Sequence, residues 1–167
     1  MNRKFKALLL GIGVSLLTTT LPATTQAHVL DGAKEYNNHY YKIMNIRMKW
    51  EEASDFCKST GGHLATAESA EENEMLKQMV MGSGISERFW IGGYRTDKNL
   101  WKWVTGKTFG DYFDWARGKE RPWNAGGGPR LSLSYEAKGQ WDNLKPSSER
   151  PFICEWEAVG DAHDSTL

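Results

Sequence analysis

Two cysteines, Cys57 and Cys154, enclose 96 residues in a chain of 167. What such a pair does depends on its compartment, and the first 27 residues bear on that. MNRKFK carries only positive charge, ALLLGIGVSLL is an apolar run of 11 residues, and TTTLPATTQA is small and polar up to Ala27. Charged, apolar and cleavage regions in that order mark residues 1–27 as a secretory signal peptide. The apolar run falls short of the ~20 residues that span a bilayer. No second such run follows, so membrane insertion is not expected. The expected location is secreted or extracellular, or periplasmic in a Gram-negative bacterium. In an oxidising compartment an even pair of cysteines is most simply one disulfide. The competing reading is a metal or redox pair, which wants clustered ligands or a CxxC, and neither is present. A bridge of this span ties the ends of one domain together. The chain-entropy model credits a loop of that length with about 4–5 kcal/mol.

The length suits one domain. The formal net charge is zero, and removing residues 1–27 takes away Arg3, Lys4 and Lys6, leaving 18 basic and 21 acidic residues. Neither balance marks a nucleic-acid binder. Residues 28–38 are polar and read as a linker, 39–157 as the folded domain, and 158–167 as a flexible tail. HYYKIMNI (39–46) is aromatic and β-branched enough for a first strand. In MKWEEASDFCKSTGG, Trp50, Ala53 and Cys57 share a helical face and Gly61-Gly62 stop the helix, with no good N-cap because Met48 stands there. Ser69 and Glu72 form a capping box for a second helix carrying Leu76, Met79 and Val80 on one face. RFWIGGYRTDKNLWKWVTGKTF then reads as strands with turns at TDKN and TGK. RLSLSYEAKGQWDNL and RPFICEWE read as strands too. Between them, residues 110–129 form a long unpatterned stretch, and such loops are usually functional or disordered. The order predicts an α+β domain.

Several stretches together resemble the C-type lectin-like domain, from about His39 to Glu157. NNHYYKI is similar to its opening strand, KWEEASDFC to its first helix, GGHLATAESAEEN to the connection into its second helix, WIGG (90–93) to its most specific motif, and FICEWE to its last strand. The resemblance implies two helices and two small antiparallel sheets, with a looped-out segment over residues 106–140. It also implies that Cys57 pairs with Cys154, and that the family's inner disulfide is missing.

In sugar-binding members the loop carries Glu-Pro-Asn or Gln-Pro-Asp, and a later acid and a Trp-Asn-Asp motif complete a calcium site of oxygen ligands. Aligned on Pro122, this chain has Arg121 and Trp123 at the ligand places, and neither supplies an oxygen. The later acid falls near Gly128 and Pro129. At the last place stands Trp141-Asp142-Asn143, with the two polar residues exchanged, and neighbours on a strand face opposite ways. No cofactor is expected on this reading. A calcium ion rebuilt by Glu120, Asn124, Asp142 and Asn143 is the alternative. Trp123 is either a ligand anchor or a residue tucked back onto the domain. Arg117, Lys119, Arg121 and Arg130 gather basic charge around the loop, which is either a solvated face or suited to an anion. Trp90, Trp101, Trp103, Trp115 and Trp141 read as packing residues. The four histidines show no metal spacing, and no nucleophile, HExxH or phosphate loop points to catalysis. Asp111 and Asp114 are the acids that a remote reading as a carbohydrate-active enzyme would recruit. The expected function is a non-catalytic recognition module, taking a protein or glycan ligand at a cell surface through Glu120, Arg121, Trp123, Asn124, Asp142 and Asn143. A calcium-dependent carbohydrate-binding lectin is the alternative.

Overall fold

The computed structural model describes residues 30–118 and 128–158. The segment read as a signal peptide, most of the tail and the centre of the long loop therefore lie outside the described residues. Two helices, α1 (Trp50–Ser59) and α2 (Ala70–Gly82), accompany eight strands. These are β1 (Lys34–Tyr36), β2 (His39–Met48), β3 (His63–Leu64), β4 (Arg88–Arg95), β5 (Trp101–Trp103), β6 (Arg130–Ser134), β7 (Gln140–Leu144) and β8 (Arg150–Glu157). Antiparallel ladders run β1-β2-β8 on one side and β4-β6-β7 on the other, with β5 on β4 and β3 on β8. One parallel bridge, Trp90 to Phe152, joins the two ladders into a single mixed sheet.

Period-two alternation along β8 organises the interior. Phe152, Cys154 and Trp156 pack with Trp50, Ala53 and Cys57 of α1. Ile153 faces the other way, into a cluster with Met75, Leu76 and Val80 of α2. The disulfide Cys57–Cys154 closes the first of these layers, with Cα atoms 5.5 Å apart. The glycines of WIGG serve the same closeness. A Cβ at Gly92 would stand 2.6 Å from the Leu64 carbonyl oxygen, and one at Gly93 2.6 Å from a Leu131 methyl. Trp90 donates its indole N–H to the Met48 carbonyl at 3.0 Å, and Trp50 donates to Ile91 at 2.9 Å.

Two local expectations are corrected. Part of the segment read as a linker folds: β1 pairs with β2 across Asn37-Asn38, whose φ values of 48° and 61° suit a tight hairpin turn that asparagine tolerates. The N-cap of α1 is Lys49 rather than Met48; as expected no side chain caps the helix's own first N–H groups, and only the reverse half of a capping box is present, the Lys49 N–H donating to the Glu52 carboxylate at 3.2 Å. The Ser69 cap of α2 is as expected, accepting from the Glu72 N–H at 3.1 Å.

Candidate functional site

Of the six candidate contact residues, Glu120, Arg121, Trp123 and Asn124 lie outside the described residues, as does Lys119. Asp142 and Asn143 sit on β7, in register with Ser132 and Leu131. Neither forms a polar rim: they are 3% and 1% exposed. At the outer edge of β7 one further backbone bridge joins Trp115 to Trp141. Asp142 Oδ2 accepts from the Arg88 Nε at 2.8 Å, and its Oδ1 accepts from the Asn143 N–H at 2.8 Å. Arg88 also reaches Glu136 at 3.4 Å. A guanidinium this close supplies the positive charge that the buried carboxylate needs. Arg130 is engaged as well. It donates to Glu51 at 2.8 and 3.1 Å and lies 4.6 Å over the Trp50 ring. Gly128 is buried, and any Cβ there would collide with the backbone of Leu144 and Lys145. That glycine allows close approach rather than loop freedom.

The aromatic stretch beside the loop is a packed cluster. Trp141 is its centre, with Trp103, Phe109, Tyr112 and Trp115 at ring-centroid distances of 5.4–5.8 Å, all close to edge-on. The Trp141 indole N–H donates to Asn73 Oδ1 at 2.7 Å. Asn73 in turn donates to Tyr112 at 2.9 Å and to Asp114 at 2.8 Å. Asp114 also accepts from Lys77 at 3.0 Å and Gln140 at 3.2 Å. So Asp114, weighed with Asp111 as an acid pair, is the hub of a structural network. Phe113, beside it, is 52% exposed.

A hollow of about 240 Å³ lies beside Glu155 of β8, lined by His39, Tyr41, His63, Thr66, Glu68, Glu72, Lys107 and Glu155 among others. Sequence reasoning missed it, because the histidines and acids come from four separate segments. Register explains the convergence. Tyr41 and His63 are the cross-strand neighbours of Glu155 on its two sides, and His39 is opposite Glu157. The signal available was the alternation of His39 with Tyr41 and of Glu155 with Glu157; the pairing of those strands was not written in either. Glu155 is 1% exposed. It accepts from Thr66 N–H at 2.8 Å and lies 2.7 Å from His39 Nδ1 and 3.8 Å from His63 Nδ1. Burial pushes its carboxyl above the usual range, against the attraction of His63 and the hydrogen bonds from Thr66 and His39. Tyr41 donates to Glu72 at 2.7 Å, and burial followed by the two carboxylates pushes its hydroxyl far up. Lys107 pairs with Glu68 at 2.7 Å. The oxygens of Thr66, Glu68, Glu72 and Glu155 are the groups here that would suit a hard cation. Among the described residues, no three or more His, Cys, Asp or Glu side chains are arranged to hold a metal ion.

Comparison with known proteins agrees with this architecture. The sequence profile of the Lectin C-type domain family matches residues 46–156. The chain is 30% identical over 136 residues to mouse C-type lectin domain family 4 member F, covering 75% of this chain and 24% of that protein. It is 29% identical over 153 residues to Snaclec 3 of Sistrurus catenatus edwardsii, covering 86% of this chain and 95% of that one. The human scavenger receptor C-type lectin carbohydrate-recognition domain superposes with a TM-score of 0.65 at 28% identity, covering 75% of this chain and 95% of that one. No described helix is long and apolar enough to cross a membrane.

Proposed function

Because this chain belongs to the C-type lectin domain family, we propose that it is an exported, non-catalytic recognition module that binds a protein or glycan ligand through its long loop without family-type calcium coordination. The observation that carries this reading is Asp142. Both its oxygens are already engaged, one by a guanidinium 2.8 Å away. A calcium ion needs six to eight oxygens, and Arg121 and Trp123 add none at the neighbouring ligand places. Export is supported by residues 1–27 and by the disulfide. The likeness to a carbohydrate-recognition domain keeps glycans among the ligand classes.

The loop itself is tested through Trp123, which we assign as its anchor. Trp123→Ala is compared with wild type in a thermal melt and in binding to the strongest ligand found on glycan and cell-surface protein arrays. The expected result is an almost unchanged melt and binding weaker by about 2 kcal/mol or more. A stability loss of about 3–5 kcal/mol, with binding per folded molecule unchanged, would mean that the tryptophan packs inward and the loop only connects.

A further inference from the structure

We propose that Phe113, with the half-buried rings behind it, forms a docking surface for a protein that offers an apolar pocket beside a basic group. This rests on the recognition reading above and decides between its two ligand classes in favour of protein.

Among the described residues, Phe113 is the most exposed of the large apolar side chains, at 52%, and the only aromatic one in that group. A lone apolar side chain at a surface means little. Two observations set this one apart. Its ring does not stand alone: it lies 6.4 Å from Phe109, which lies 5.7 Å from Trp101, and both of those rings are half-buried. It is also mounted on a fixed backbone. On one side, Tyr112 accepts from Asn73 at 2.9 Å and sets its ring edge-on to Trp141. On the other, Asp114 is held by the Asn73 and Lys77 side chains, and its carbonyl accepts from the Trp141 N–H at 2.8 Å. Tyr112 and Trp115 pack against the core, whereas Phe113 does not. With both neighbours pinned, the direction of the Phe113 side chain is set before any partner arrives. Little ordering then remains to be done on binding. A rigid aromatic anchor of this kind is the usual form of an interface hot spot.

The surroundings choose the partner. A sugar stacked on a ring needs donors and acceptors nearby for its hydroxyls. Here those groups are already engaged. The Tyr112 hydroxyl is met by Asn73, and the Asp114 oxygens accept from Asn73, Lys77 and Gln140. Phenylalanine adds no polar tip of its own. What remains is Asp111, two positions before Phe113 and exposed. Lys77 and Lys107 are committed to Asp114 and Glu68. An apolar pocket on a protein buries Phe113 without asking for hydrogen bonds. A lysine or arginine at the rim of that pocket answers Asp111.

The test pans a phage-displayed random peptide library against the full exported chain in chelator, and reads the same chain on a glycan array. Wild type, Phe113→Ser and Asp111→Lys are compared, each first checked by a melt. Enriched peptides should carry aromatic or aliphatic residues beside lysine or arginine. They should bind Phe113→Ser about thirtyfold or more weakly, and Asp111→Lys should weaken them as well. The Phe113→Ser melt should stay close to wild type, because the ring is exposed. The proposal is overturned if no peptide enriches on wild type, if enriched peptides bind folded Phe113→Ser as tightly as wild type, or if the binding that needs Phe113 is to glycans. A steep drop in the Phe113→Ser melt would overturn it too, since the ring would then be a packing residue. Trp123-dependent binding that survives Phe113→Ser would leave the loop reading standing and remove only this surface.

Discussion

Glu155 is the residue whose environment departs furthest from its chemistry. It is a carboxylate inside the sheet, held by His39, His63 and Thr66. Its pKa is raised in the fold, so the folded state binds a proton more readily than the unfolded one. The stability it contributes is therefore fully present below the ordinary carboxylate range and is lost as pH rises through the raised value. Wild type should thus gain stability relative to Glu155→Gln as pH is lowered from neutral towards the ordinary carboxylate range. Paired thermal melts across that range check it. A difference in melting temperature that stays flat with pH, or widens against wild type on acidification, would contradict it. Nothing in the sequence around Glu155 announces this environment. Its neighbours Cys154 and Trp156 announce a core strand, and a glutamate between them reads as an outward residue until the register is known.

Elements were more legible than residues. Helix α1 follows from its apolar face and its stop at Gly61-Gly62, and α2 from its serine cap. Both signals are local, so they survive without tertiary information. Strand β1 was hidden because three residues in a polar stretch carry almost no pattern; only pairing with β2 makes it a strand. The pairing of Cys57 with Cys154 sets α1 against β8, and the layer between them is dense. A Cβ at Gly62 would meet the Trp156 ring at 2.6 Å. The bridge closes a span of 97 positions. Replacing both cysteines by alanine should lower stability by about 4–5 kcal/mol on the chain-entropy model. Urea unfolding of the exported chain measures this. A double variant as stable as wild type would mean that packing of Trp50, Phe152 and Trp156 alone holds the layer.

At the scale of the whole molecule, the sequence motifs carried the fold because they record close approaches that no other residues allow, such as WIGG against Leu64 and Leu131. The ligand-facing part was less legible. Trp141-Asp142-Asn143 reads as a pair of candidate contacts, yet Asp142 is drawn inside by Arg88, a partner 54 positions away. On the reading proposed above, arginine and tryptophan stand in the loop sequence where calcium-type oxygen ligands would be needed. The most direct measurement is binding of the labelled exported chain to a mixed array of glycans and cell-surface proteins, run once with calcium and once with chelator. The account predicts the same set of ligands at the same strength in both. Signal that appears only with calcium, and is lost in Asp142→Ala and Asn143→Ala, would contradict it.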